Sequence, residues 1–155
     1  MAPKMLDAAL LSGLAANFGE AVQIQETAGG PIIEVAVSRL TEVMSYLKTD
    51  DSFALNMLSN LTAAEYPEYY EAVYHLYSLA LKHSAAVKAR CPKGTPFIPS
   101  VTAIWPSADF QEREVYDLLG VVFTSHPNLK RILLAADFDG HPLRKDYKLP
   151  SRQTR

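Results

Sequence analysis

The chain has 155 residues, a length that fits one domain and buries roughly two thirds of the unfolded surface, enough for a core of its own. A 48% hydrophobic and 21% charged composition excludes a disordered or fibrous chain, and Cys91, the single cysteine, excludes an intramolecular disulfide, a four-cysteine iron–sulfur site and a zinc site built on cysteine pairs. The net charge of −2 is split unevenly, three Lys/Arg against nine Asp/Glu in residues 1–70 and twelve against eight in 71–155, and so acidic a body is a poor match for nucleic-acid phosphates.

Leu6, Leu10, Leu14 and Phe18 recur every four residues before Gly19, which predicts one helix ended by a glycine. Its apolar run, Ala8 to Ala16, falls far short of the roughly 20 residues that cross a bilayer. Asp7 interrupts what would otherwise imitate a signal peptide, so residues 1–16 read as an amphipathic helix. Val22 and Ile24, the turn Gly29-Gly30-Pro31, and Ile33, Val35 and Val37 predict a hairpin. Ser38 is a candidate N-cap for a second helix through Leu40, Val43, Met44 and Leu47, stopped by Asp50-Asp51. Phe53, Leu55 and Met57 alternate as a strand, and Thr62 to Pro67 breaks the pattern.

Tyr69 to Leu81 fits a buried helix or a long strand. We read it as a strand, because Val87, Ala89 and Cys91, alternating with Lys88 and Arg90, make a natural antiparallel partner. Prolines 92, 96, 99 and 106 forbid a long helix and imply a turning connection with one short helical piece around Val101 to Trp105. Ser107 then caps a helix with Asp109 in its first turn, Val115, Leu118 and Leu119 as its apolar stripe and Gly120 as its end. Beyond Phe123, His126-Pro127, Asp137-Phe138-Asp139-Gly140 and His141-Pro142-Leu143 promise turns, with regular structure only at Leu129 to Leu134. The expected fold is α/β of the α+β kind, a mixed, largely antiparallel sheet with helices packed on it. It comprises a core over residues 1–123 and an irregular extension over 124–155. The last fifteen residues carry Arg144, Lys145, Lys148, Arg152 and Arg155 against Asp146 alone, which suits either a solvated tail or one laid on an acidic neighbour.

No Gly-x-Gly-x-x-Gly follows a strand and no phosphate-binding Gly-x-x-x-x-Gly-Lys loop exists, so flavin, nicotinamide, ATP and iron–sulfur cofactors are not expected in this chain. Glu112, Glu114, Asp117, His126, Asp137, Asp139 and His141 are candidate zinc or manganese ligands, yet Glu112 and Glu114 diverge on a helix and no histidine lies one turn from another ligand. Asp137, Asp139 and Asp146 imitate part of a calcium loop whose first ligand position would be Ala135. On spacing, Arg113 and Asp117 form an i, i+4 pair on a helix face. Arg113 or Arg144 can equally fasten loop carbonyls and carboxylates in a way lysine cannot, locking the irregular ending into one shape. Tyr66, Tyr69, Tyr70, Tyr74 and Tyr77 read mainly as core, with some open to a partner, and Trp105 likewise; His75 and His83 read as sheet residues, and Cys91 as a small apolar one.

Three ordered blocks carry more information than these parts. Asp109-Phe110-Gln111-Glu112-Arg113-Glu114-Val115-Tyr116-Asp117-Leu118-Leu119-Gly120-Val121, then His126-Pro127-Asn128-Leu129-Lys130-Arg131-Ile132-Leu133, then Gly140-His141-Pro142-Leu143-Arg144-Lys145-Asp146-Tyr147, closely resemble the signature of the C-type, or 30 kDa-type, subunit of NADH:quinone oxidoreductase, respiratory complex I. Val73-Tyr74-His75-Leu76, Ile98-Pro99-Ser100-Val101 and Trp105-Pro106 are similar to that family too, so the likeness covers residues 50–148. Phe110 stands where tryptophan is common, and Asn60 and Glu65 stand near positions where aspartates are often found.

The resemblance implies a structural subunit of the peripheral arm, packed against the D subunit near the quinone site and near iron–sulfur subunits. FMN and the clusters would then lie in partner subunits, and the chain would meet the membrane only through the complex, on the cytoplasmic side of the bacterial plasma membrane. It further implies that Glu112, Arg113, Glu114, Asp117, His126, Arg131, His141, Arg144, Lys145, Asp146 and Tyr147 hold the C-terminal segment and the partner contact. Related energy-converting hydrogenases and dehydrogenases use a similar subunit, and a metal-dependent hydrolase is the rival from a different class.

Overall fold

The computed structural model describes residues 4–149. Its elements are β1 (Lys4–Met5), α1 (Ala8–Phe18), β2 (Val22–Thr27), β3 (Gly30–Val35), α2 (Leu40–Thr49), β4 (Met57–Glu65), β5 (Tyr69–Tyr77), β6 (His83–Pro92), β7 (Phe97–Pro99), α3 (Ala108–Leu119) and β8 (Val122–Thr124). The main sheet runs β2-β3-β6-β5-β4, with β1 added in parallel at the His83 end of β6. Pairing is antiparallel except where β3 and β1 meet β6. This is the mixed, largely antiparallel sheet with helices that the hydrophobic pattern implies.

Alternation explains why the ambiguous tyrosine-rich segment is a strand. Tyr70, Ala72, Tyr74 and Leu76 point into the core, while Val73, His75 and Tyr77 point to the other face. Opposite them on β6, Ala85, Val87, Ala89 and Cys91 are buried too. The core closes over this face with Leu11, Leu14 and Phe18 of α1 and Leu40, Val43, Met44 and Leu47 of α2, each fully buried side chain stabilising by about 1.5–3 kcal/mol. Asp7, which interrupts the apolar N-terminal run, is the N-cap of α1 and accepts the Ala9 amide at 2.9 Å. The opposite face carries charge: Glu71, 2% exposed, sits between Arg90 at 2.8 Å and Lys88 at 3.3 Å, and Arg90 also reaches Glu34 at 3.5 Å.

Several boundaries differ from the sequence reading. Val37 belongs to a 3-10 turn, Val37–Arg39, rather than to the hairpin, and Ser38 lies inside that turn, so Arg39 occupies the N-cap position without a capping bond. Phe53 and Leu55 are not strand. The chain turns through Ala54 at φ 45°, with the Leu55 amide bonded to Leu47, and pairing starts at Met57. The strand then runs through Thr62 to Glu65, because Thr62, Ala63, Ala64 and Glu65 find partners on β5; the break comes at 66–68. Two tripeptides pair in parallel, β7 within the stretch expected only to turn and β8 directly after α3. Leu129 to Leu134 form neither helix nor strand, since the amides of Ile132, Leu133 and Leu134 bond to a side chain instead. Met1 to Pro3, and Arg152 and Arg155 of the basic tail, lie outside the described residues.

Candidate partner-binding site

The site is built on α3. Ala108, Glu112, Val115 and Leu119 recur at three and four residues and bury one face. Ser107 stands at the N-cap position yet makes no capping bond, because its hydroxyl donates to the Leu58 carbonyl at 3.3 Å; Gln111 Oε1 accepts the Leu61 amide at 2.6 Å. Through these two side chains the helix seals the outer edge of β4.

Glu112 lies on the buried face, fully inaccessible to solvent. Its carboxyl accepts the Ser100 hydroxyl at 2.5 Å and the Val101 amide at 3.0 Å, which holds the turn after β7. Burial outweighs those two bonds and pushes its carboxyl up to about 7. Tyr74, on the sheet beneath, keeps a buried hydroxyl with no partner among the described residues, and burial raises it well above the ordinary phenol range.

Arg113 and Asp117 hold the backbone of the C-terminal segment. Arg113 donates to the carbonyls of Lys130 at 3.0 Å and Arg131 at 3.3 Å. Asp117, completely buried, accepts three successive amides at one oxygen, Ile132 at 3.1 Å, Leu133 at 2.8 Å and Leu134 at 2.9 Å. Its other oxygen takes the Arg131 guanidinium at 2.8 Å. Burial pushes this carboxyl up, but the three amides and the guanidinium together hold it below the usual aspartate range. Arg113 and Asp117 therefore do not form the i, i+4 pair that spacing suggests; each serves a different half of one distant turn. Arg131 also donates to the Gly140 carbonyl at 2.8 Å and lies over the Phe138 ring.

The C-terminal end of α3 is a second docking point. A helix leaves its last carbonyls without intrahelical partners, at the negative end of its dipole. Here the extension supplies the donors. His141 Nδ1 lies 2.9 Å from the Asp117 carbonyl, and since a carbonyl can only accept, that nitrogen carries the proton. The Leu143 amide donates to Leu118 at 2.9 Å, and Arg144 Nε donates to Leu119 at 2.6 Å. Gly120 makes the approach possible: it ends the helix at φ 78°, and a Cβ there would overlap the Arg144 guanidinium and the His141 ring.

Farther along, Glu65 at the end of β4 accepts the Lys145 amide at 2.7 Å and Lys93 Nζ at 2.6 Å; the lysine ammonium first, and the amide after it, hold its carboxyl low. Tyr147 stacks on Phe138 at 6.3 Å between ring centroids. The residues 125–149, which contain no helix or strand, are thereby fixed along one side of α3.

Of the eleven predicted site residues, Arg113, Asp117, Arg131, His141 and Arg144 come together at the helix and its extension, and Lys145 and Tyr147 follow on the same segment. Glu112 points the other way, toward Ser100. His126 accepts the Asn128 amide at Nδ1 and so donates from Nε2 to the Asp109 carbonyl at 3.2 Å, with Asp109 Oδ1 out of line at 3.0 Å. Glu114 and Asp146 are exposed. The seven candidate metal ligands are thus dispersed, and among the described residues no three His, Cys, Asp or Glu side chains converge. Of the aromatic residues, Tyr70, Tyr74 and Trp105 are core, Trp105 donating to the Leu55 carbonyl at 3.1 Å, while Tyr66 is exposed. Burial pushes the Cys91 thiol up to about 11, leaving it un-ionised near neutrality. Glu65, Ser100, Gln111 and Phe138 are part of the arrangement although none of them is among the predicted site residues.

Comparison with known proteins follows the same residues. The family model described as respiratory-chain NADH dehydrogenase, 30 Kd subunit, matches residues 33–153. The C-type subunit of NADH-quinone oxidoreductase from Moorella thermoacetica is 45% identical over 130 residues, covering 83% of this chain and 86% of the relative. The protein of the same name from Geobacter metallireducens is 41% identical, covering 85% and 84%. Among solved structures, a trypsin-resistant fragment of Nqo5 superposes with a TM-score of 0.66 at 30% identity, covering 78% of this chain and 97% of the fragment. A chain of an archaeal membrane-bound sulfane sulfur reductase shares the fold at a TM-score of 0.76 and 22% identity, covering 91% and 85%.

Proposed function

This chain belongs to the family of the 30 Kd subunit of respiratory-chain NADH dehydrogenase, and from that premise we propose that it is a purely structural subunit of NADH-quinone oxidoreductase. It has no catalytic centre of its own. It packs against the D subunit near the quinone site and beside iron–sulfur subunits, and FMN and the clusters reside in those partners. The complex sits peripherally on the cytoplasmic side of the bacterial plasma membrane, and this chain meets the membrane only through it. No described helix is long and apolar enough to cross a membrane.

The observation that carries the reading is where the buried and half-buried polar groups at the end of α3 and on the segment after it are directed. Asp117, Arg113, Arg131, His141 and Arg144 are all directed at backbone of the C-terminal segment or of the helix end that receives it. An enzyme needs such groups aimed at a cavity where a substrate can reach them. A scaffold needs them aimed at its own irregular chain, so that a segment without secondary structure presents one shape to a neighbour.

The test is purification of the native complex through a tag on this chain, with identification of every co-eluting polypeptide and an absorption spectrum of the chain purified alone. The D-type and iron–sulfur subunits should co-elute, and the lone chain should show no flavin or cluster bands. A flavin or cluster held by the lone chain would refute the reading.

A further inference from the structure

One stripe of α3 directs no side-chain hydrogen bond to the core or to the C-terminal segment. Phe110, Glu114 and Leu118 recur every four residues and therefore share a face. Phe110 is 59% exposed, Glu114 is exposed and Leu118 is half-buried. Beside them Leu143, held in place by its own amide on the Leu118 carbonyl, is 60% exposed. Between Leu118, Leu143 and the β4 residues Leu61 and Ala63 lies a groove of about 190 Å³ with Glu114 on its rim. A groove of that size admits one apolar side chain.

We propose that this groove receives an amphipathic helix of a neighbouring subunit, which places one Leu- or Met-sized side chain between Leu118 and Leu143 and a Lys or Arg against Glu114. The inference rests on the reading of the chain as a subunit of the oxidoreductase. Charge complementarity supports the cation: among the described residues Glu114 has neither an ion-pair nor a hydrogen-bond partner and is the one charged residue lining the groove, while the guanidinium over the Phe110 ring, that of Arg113, is engaged with the Lys130 and Arg131 carbonyls. A helix fits better than an added strand because two backbone groups of the β4 edge are already engaged. The Leu61 amide is taken by Gln111 and the Leu58 carbonyl by Ser107, so strand addition would have to break both bonds. The groove also has a rigid wall, since Leu143 is locked by Arg144 and His141 on either side of it.

The test uses the intact complex. A photo-crosslinking residue is placed at 110 and, separately, at 143 of the tagged chain, and Glu114→Lys and Glu114→Asp are made in parallel. Both crosslinking positions should mark one partner polypeptide within the same Lys- or Arg-containing segment. Glu114→Lys should lower recovery of the complex by about tenfold while Glu114→Asp retains most of it, and the melting temperature of the isolated chain should be unchanged in both. A complex that contains this chain yet gives no inter-subunit crosslink at either position, or assembles fully with Glu114→Lys, overturns the docking groove and leaves the functional reading standing. A wild-type chain that co-elutes with no oxidoreductase subunit overturns both.

Discussion

The Arg131 guanidinium meets the Asp117 carboxylate at 2.8 Å across fourteen residues of sequence, and the same carboxylate takes the three amides that follow Arg131. One buried side chain thus fixes both the side chain and the backbone of a turn. Asp117 is wholly inaccessible and the Arg131 side chain is 13% exposed, so neither can exchange its partner for bulk water.

Asp117→Ala leaves a largely buried guanidinium without its counter-charge and three amides without their acceptor, which should destabilise the fold by about 3–5 kcal/mol. Chemical denaturation measures the loss. Limited proteolysis should cut the variant first within residues 130–145, where the wild type resists.

The two buried carboxyls of α3 should give opposite pH dependences. Asp117 is held low when folded, so the folded chain binds fewer protons than the unfolded one in acid. Its contribution is full above about pH 4, the ordinary aspartate value, and is lost as pH falls through the lowered folded value. Glu112 is raised to about 7, so the folded chain binds more protons than the unfolded one between the ordinary glutamate value and 7. Its effect is to lower stability as pH rises through that window, by on the order of 3 kcal/mol at most. Melting curves from pH 4 to 8 should show the wild type declining across the window and Glu112→Gln declining less; equal slopes would show that Glu112 stays ionised when folded.

Gly120→Ala combines a left-handed backbone with a Cβ that overlaps Arg144 and His141. The conformational term alone costs about 1 kcal/mol, and the displaced side chains add to it. Circular dichroism melts should register more than that minimum. Detachment of the extension would appear as faster hydrogen exchange at the Leu143 amide.

Glu65→Ala removes the acceptor of the Lys145 amide and of the Lys93 ammonium, both on residues that water can reach in its place. Global stability should change by only about 1 kcal/mol. The Lys145 amide should nonetheless exchange markedly faster while the Ile33 amide, in the sheet interior, keeps its protection.

How much of the structure is legible in the sequence follows from how far each signal reaches. The hairpin of β2 and β3, the burial alternation of β6 and the glycine ends of α1 and α3 depend on neighbours within a few residues, and the local pattern states them; β5 alone fits helix or strand, and its reading as a strand leans on β6. β7 and β8 are three residues each, too short for alternation to register. The role of Asp117 is hidden for another reason: its true partners lie 14 to 17 residues away, while Arg113 offers a local partner at i−4. Spacing therefore favours a pair that does not form. Ser38 and Ser107 look like caps because serine caps helices well in isolation, but Ser38 falls within a 3-10 turn and the Ser107 hydroxyl is drawn to β4. The ordered sequence blocks around α3 identify the family far better than periodicity does, yet they do not reveal which of their side chains face inward.

The most direct test of the structural role is to carry Arg131→Ala in the chromosomal copy of this chain and measure two quantities in one membrane preparation, the amount of assembled complex and its NADH:quinone turnover per assembled complex. A scaffold predicts less assembled complex and an unchanged turnover for each one that forms. Full assembly with turnover abolished would place chemistry in this chain and contradict the account.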